Sequence, residues 1–249
     1  MEEGNVMDTV VNLKWIEAAN YEEMSKLAAD MFKAELKHNP KMVLGLATGG
    51  TPEGFYKELV EAYQAGDISF EQAQSYNLDE YVGINPTNEA SYHYYMDQNL
   101  FNHVDMKREN IHVPKGNTAD LQAAAAQYDT MIEAAGGVDI QLLGIGVNGH
   151  IGFNEPGTPF ALGTNVVELT ESTREANKIY FNSIDEVPTH AITMGIQTIM
   201  NAKKVVLLIS GASKQEAMER LRSGEVSEDF PASALHNHRD VTVIYTDVK

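Results

Sequence analysis

The stretch VDIQLLGIGVNGHIGFNEPG, Val138 to Gly157, decides the class of fold. Its first half, Val138 to Gly146, is a nearly continuous apolar run, which fits a strand covered on both faces rather than one with a wet side. Gly144, Gly146 and Gly149 spell G-x-G-x-x-G after that strand, the letters of a dinucleotide-binding turn, but that turn requires a helix to open at its end. The next residues include His150, Gly152, Asn154, Pro156, Gly157 and Pro159, a composition hostile to a helix. The reading is a buried parallel strand running into a long irregular polar segment that extends to about Thr164.

The same pattern recurs outward in both directions. Short apolar strands are expected at Met42 to Ala47, near Gln74 to Leu78, at Lys204 to Ser210 and at Val241 to Tyr245. Between them lie helical patterns. Tyr21 to Lys37 places Met24, Leu27, Ala28, Met31 and Phe32 on one face, with Asn20 and Glu23 as a capping box and Asn39-Pro40 as the stop. Pro52 sits at the first position of a helix running to about Ala65. Further helices are expected at Glu89 to Phe101, Ala119 to Ala135, Ala191 to Met200 and Ser213 to Leu221. Repeated β-then-α units give an α/β fold with three layers (αβα) and a doubly wound, mostly parallel sheet. No repeat or linker interrupts it, so residues 10–249 read as one domain behind an acidic N-terminal extension at 1–9.

Composition narrows the functions. The 249 residues carry 18 Lys and Arg against 36 Asp and Glu, a net charge of −18. Such a surface argues against nucleic acid, whose binding needs cations to neutralise phosphates, and against an anionic membrane. There is no cysteine, so disulfides, thiolate metal sites and a cysteine nucleophile are excluded. The acidic N-terminus does not read as a signal peptide, and no run approaches the roughly 18 apolar residues of a membrane span. A cytoplasmic location is expected.

In doubly wound sheets, ligands collect outside the carboxyl ends of the strands. Four strands here are followed at that end by residues a core does not need. Thr48, Gly49, Gly50 and Thr51 precede a helix N-terminus, an arrangement suited to a phosphate or carboxylate and equally to a plain capped turn. It is not a Walker A loop, since no Gly-Lys-Ser/Thr comes after it. Asp79 and Glu80 put two carboxylates at a strand end, where one can serve as a desolvated general base, or the pair can be a helix cap or simply solvated. His150 with Glu155 close by forms a tunable proton shuttle, although a lone His is more often structural. Lys214 opens a helix, at the end where its charge opposes the dipole; a bound anion between them or a swing into solvent would relieve this. His236 and His238 read as a polar turn rather than a metal site, for want of a third ligand. Met194, Met200, Tyr94 and Tyr95 read as helix-face packing. No Gly-x-Ser-x-Gly elbow is present.

Taken together, LGLATGGTPEGFY, NLDEYVG, LLGIGVNGHIGFNEPGT, TMGIQTIM and SEDFPASAL resemble, in order, segments of the glucosamine-6-phosphate deaminase (isomerase) family in its short bacterial form. The resemblance implies a Rossmann-like fold and conversion of glucosamine 6-phosphate to fructose 6-phosphate and ammonia, with no metal, nucleotide or organic cofactor. It implies Asp79 as the base that moves a proton between C2 and C1, and His150 as the ring-opening shuttle, oriented by Asn148 and Glu155. Thr48, Gly49, Gly50, Thr51 and Lys214 would hold the phosphate. Three departures accompany it. Asn148 stands where longer members have Asp; Ile179 stands where members have an Arg that helps bind phosphate, with Lys178 beside it; and Gly163 replaces an Arg of a regulatory loop. The chain stops at Lys249, short of the extension of allosteric members, so no activation by N-acetylglucosamine 6-phosphate is expected. Competing readings are the same chemistry on galactosamine 6-phosphate, a 6-phosphogluconolactonase, and a sugar-phosphate sensor without turnover.

Overall fold

The computed structural model describes residues 13–248, so the acidic extension at 1–9 lies outside the described residues. The chain runs β1 (Leu13–Glu17), α1 (Tyr21–His38), β2 (Val43–Leu46), α2 (Glu53–Gln64), β3 (Gln74–Asn77), β4 (Asp79–Tyr81), α3 (Tyr92–Asn99), β5 (Ile111–His112), α4 (Leu121–Ala134) and β6 (Ile140–Gly144). It continues through β7 (Asn165–Glu168), α5 (Glu171–Asn177), β8 (His190–Thr193), α6 (Ile196–Met200), β9 (Lys204–Ser210), α7 (Gln215–Arg222) and β10 (Val241–Thr246).

Seven strands form a sheet in the order β1-β10-β9-β6-β2-β3-β5, every pair parallel. From β2 the chain winds one way to β3 and β5, then returns to β6 on the other side of β2 and winds the opposite way to β9 and β10. The direction therefore reverses between β2 and β6, and a crevice opens outside their carboxyl ends. Continuous apolar strands fill the centre: Leu44, Leu46, Ile140, Leu142, Val206, Leu207 and Val243 are all fully buried. A second sheet, β4-β8-β7, is antiparallel and contributes Asp79 and Tyr81 to the lining of the crevice. It has its own small cluster of Tyr81, Ile84, Phe153, Leu169 and Ala191. Among the described residues no helix is long and apolar enough to cross a membrane.

Several expectations hold in detail. The Asn20 side chain accepts the Glu23 N–H at 2.8 Å, and Glu23 reaches back to the Ala19 N–H, one residue beyond the usual box. The segment after β6 holds only an isolated bridge between Ile151 and Asn154, so the Gly-rich letters open no helix. Other expectations are corrected. Ala191 to Met200 is not one helix: His190–Thr193 is strand, and helix begins only at Ile196. Gly195 makes the break, because a Cβ there would lie 2.1 Å from the Leu162 carbonyl. The expected helix from Glu89 starts instead at Tyr92, where Ser91 caps the Tyr94 N–H. Pro52 is the cap of α2 rather than its first residue, and a 3-10 turn, Ala212–Lys214, precedes α7. β1, β4, β5, β7 and α5 lie outside the expectations from sequence, because segments this short carry no clear period.

Candidate active site

The four turns singled out by their sequence converge. A crevice of about 480 Å³ is lined by Thr48 to Glu53, Leu78, Asp79, Gly144 to Val147, His150 and Lys214, with walls from α3 and α5. This volume suits a small polar ligand.

The first wall is the turn between β2 and α2. Tyrosines hold its backbone: the Tyr21 hydroxyl bonds the Thr51 carbonyl at 2.8 Å and accepts the Gly54 N–H at 2.9 Å, and the Tyr95 hydroxyl donates to the Gly49 carbonyl at 2.6 Å. With those carbonyls occupied and α2 starting at Glu53, the helix end and the turn face the crevice as a ready anion site. Across it, Lys214 donates from Nζ to the Ile145 carbonyl at 2.6 Å. Of the two orientations open to this lysine, the inward one is adopted, and burial holds its ammonium below the ordinary lysine range.

The floor is β4. Asp79 is 7% exposed and forms no ion pair among the described residues; burial, and secondarily the charge of Glu80, push its carboxyl from 3.8 up to about 8. Glu80, by contrast, takes the capping alternative and points at α3.

The third wall is the turn after β6. His150 lies flat on Gly146, where a Cβ would come within 2.0 Å of the imidazole. Its Nδ1 is 2.7 Å from the Asn148 Oδ1, and the Asn148 Nδ2 donates to the Glu155 Oε2 at 2.8 Å. Because Glu155 only accepts, it fixes the amide, whose oxygen then takes the proton on Nδ1. Nε2 is left as the basic nitrogen. Burial lowers the His150 pKa, Glu155 opposes that, and Lys214 adds to it, so the net effect favours the uncharged ring. Asn148 and Glu155 do not line the crevice; they act on it through His150. Glu155 in turn receives the Thr173 hydroxyl of α5 at 2.9 Å.

Sequence reasoning missed the aromatic wall. Tyr81, Tyr92, Tyr95 and Tyr180 all line the crevice, so Tyr95 is not mere helix-face packing. Met194 follows β8 rather than sitting on a helix but is fully buried in the core, and Met200 packs against the same core. Thr173 had one sequence signal, its place three residues after the cap Thr170. The departures are also placed. Ile179 is 78% exposed, and Lys178 is exposed and does not line the crevice. Gly163 lies against α4, where a Cβ would stand 2.4 Å from an Asp129 carboxylate oxygen. His236 and His238 each bond a backbone carbonyl, of Leu221 and Ala202, and among the described residues no His/Cys/Asp/Glu group is arranged to hold a metal.

A Gly- and Thr-rich turn at a helix end, a buried carboxylate and a carboxylate-supported imidazole meet at the switch point of a doubly wound sheet, the arrangement expected of an enzyme that moves protons on a small anionic substrate. The chain belongs to the family described as glucosamine-6-phosphate isomerases/6-phosphogluconolactonase, whose model matches residues 17–244. It is 58% identical over 233 residues to a glucosamine-6-phosphate deaminase of Lysinibacillus sphaericus, covering 94% of this chain and 98% of that one. It is 52% identical to glucosamine-6-phosphate deaminase 1 of Bacillus subtilis over 93% of this chain and 96% of the relative. A solved structure of a monomeric glucosamine-6-phosphate deaminase superposes with a TM-score of 0.92 at 51% identity, covering 94% of this chain and 98% of that one.

Proposed function

We infer that this chain converts glucosamine 6-phosphate and water into fructose 6-phosphate and ammonia, with the work divided among the crevice residues. The phosphate rests on the Thr48–Thr51 turn, with the Lys214 ammonium opposite. The neutral Nε2 of His150 takes the proton of the anomeric hydroxyl and returns it to the ring oxygen, which opens the pyranose. Asn148 and Glu155 stabilise the imidazolium that forms in between.

In the open chain, the Asp79 carboxylate removes the proton on C2; that electron pair forms the C1–C2 double bond while the C1–O π pair moves onto O1, which takes a proton from water to give an enolamine. Delivery of a proton to C1 then gives an iminium at C2. Water adds there, ammonia leaves, and the ketose remains. The sequence consumes one water, releases one ammonia and otherwise moves protons, with no external oxidant or reductant. Burial serves the base directly: a carboxylate near 8 is far stronger than one at 3.8, and the dry tyrosine wall keeps it so.

The observation that carries this reading is the pairing of two different proton-transfer groups in one crevice: His150, fixed as a neutral tautomer, and Asp79, held basic. A binding protein for a sugar phosphate needs neither. The test is ammonia release from glucosamine 6-phosphate, beside unphosphorylated glucosamine and galactosamine 6-phosphate. Release from the first that vanishes in Asp79→Asn is expected. Faster release from the galactosamine ester would change the sugar, and binding without release from any of them would make the chain a sensor.

A further inference from the structure

Glu80 comes directly after the base, yet takes no part in lining the crevice. Its side chain is 3% exposed and its carboxylate is well supplied with donors. Oε1 accepts the backbone N–H of Tyr81 at 2.9 Å and of Tyr92 at 3.1 Å; Oε2 accepts that of His93 at 3.1 Å and lies 3.3 Å from the His93 Nδ1. Tyr92 and His93 are the first residues of α3, so the carboxylate sits where that helix's unpaired N–H groups converge. Ser91 already provides the ordinary neutral cap, on the Tyr94 N–H. A buried charge is destabilising where a neutral group would serve, so the charge itself requires a use.

That use lies one residue away. Successive residues of a strand face opposite ways, so Asp79 and Glu80 stand on the two sides of β4 with no hydrogen bond joining them. One faces the crevice and the other α3. We propose that Glu80 is a positioning residue for the reaction: a fixed negative charge behind Asp79 that maintains its proton affinity, and the anchor that docks α3, with Tyr92 and Tyr95, against the crevice.

The other groups around the base leave this role to Glu80. Tyr81 of β4, Tyr92 of α3 and Tyr128 of α4 are phenols that burial keeps protonated. His150 and Lys214 stand on the facing walls. His93, one-third exposed, faces Glu80 rather than Asp79.

This inference rests on Asp79 being the base, and the experiment separates the two. The pH dependence of kcat and kcat/KM for glucosamine 6-phosphate would be measured on the full chain and on Asp79→Asn, Glu80→Gln, Glu80→Asp and His93→Lys. A general base must be unprotonated, so kcat/KM rises with pH through the Asp79 titration, and removing a nearby negative charge moves that rise to lower pH. Glu80→Gln is expected to move it by about one pH unit and to lower the plateau kcat several-fold with little change in KM. Glu80→Asp keeps the charge, so the rise stays in place although stability falls. His93→Lys sets a permanent cation on Glu80 from a partly exposed position and gives a smaller shift in the same direction, which serves if Glu80→Gln does not fold. A Glu80→Gln or His93→Lys enzyme with an unmoved profile would reduce Glu80 to a helix cap. Activity surviving in Asp79→Asn would instead remove the base on which the inference stands.

Discussion

In the seven-stranded sheet, β6 presents Ile140, Leu142 and Leu143 to a dry interior; in the three-stranded sheet, β4 presents Asp79, Glu80 and Tyr81 to one almost as dry. Burial of the first set stabilises the fold, at about 25 cal/mol per Å² of apolar surface. Burial of the two carboxylates in the second set opposes folding, because it removes charge from water. The large sheet thus supplies the free energy and the rigid strand ends, and part of that stability offsets the cost of a carboxylate held away from its preferred ionisation in the small one. Chemistry is concentrated where the two meet, with the Thr48–Thr51 turn, His150 and Lys214 coming from the large sheet and Asp79 from the small one.

Asp79→Asn is the strongest way to break this comparison. Loss of a general base lowers kcat by about 10²–10⁴-fold, while the same change should raise stability. The displaced titration sets the sign. With its pKa raised from 3.8 to about 8, Asp79 in the folded chain keeps a proton that the unfolded chain has lost, so its contribution is complete below pH 4 and is lost as pH rises through 8. Urea unfolding of wild type and mutant between pH 5 and 8 should show the mutant's advantage growing with pH. A mutant that is dead and also less stable would show that Asp79 belongs to the packing rather than to the chemistry.

The converse test lies in β6. Leu142→Ala removes a fully buried side chain from the centre of the large sheet, and should cost about 2–5 kcal/mol of stability. Because Leu142 does not line the crevice, kcat at low temperature should stay within a factor of two or so of wild type. Unfolding and ammonia release measured on one preparation would check both halves.

What could be read from sequence divides along the same line. β2, β6, β9 and β10 announce themselves because a strand covered on both faces must be largely apolar, and glycine marks where the first three stop. The His150–Glu155 pairing was legible because a histidine among glycines and asparagines has no packing reason to be there, whereas Asn148, which links them, came only from the family resemblance. β4 was hidden by its own function, since Asp-Glu-Tyr looks like a solvated turn until the structure shows both carboxylates buried. The β8–α6 break was hidden because its cause, Gly195 pressed on the Leu162 carbonyl, is a contact between segments that share no local pattern. Tyr95 was hidden because an aromatic at helical spacing reads the same whether it fills a core or lines a cavity.

A third test asks whether the anion site belongs wholly to the large sheet. Lys214→Ala removes a charge-assisted hydrogen bond of about 1.5–3 kcal/mol, which is roughly one to two decades in KM for glucosamine 6-phosphate. Any slow turnover of unphosphorylated glucosamine should be unaffected, since that substrate brings no phosphate. Equal losses on both sugars would mean that Lys214 acts by holding the Ile145 carbonyl, and with it the turn that carries His150.

The smallest effect is expected at the mouth, where the small sheet's side of the crevice contributes most. Ala176, Asn177 and Tyr180 line the crevice, whereas Ile179 between them is 78% exposed and leaves its apolar surface in water. The segment is tied down on both sides, by Thr173 to Glu155 and by the Arg174 guanidinium to the Ile184 and Val187 carbonyls at 2.9 and 3.0 Å. Ile179→Arg places there the residue that the resemblance in sequence led one to expect, and replaces nothing that the core uses. A guanidinium folded inward would offer the phosphate the forked contact that Lys214, a point charge, does not. Because the side chain starts from solvent, its gain is screened, and KM should fall about two- to tenfold at low salt and less at roughly 0.5 M, with kcat unchanged. An unchanged KM at low salt would place the phosphate beyond the reach of α5, leaving the Thr48–Thr51 turn and Lys214 as a complete site. That outcome would sharpen the division of labour, with binding assigned to the large sheet's strand ends and Asp79 left as the small sheet's contribution to the chemistry.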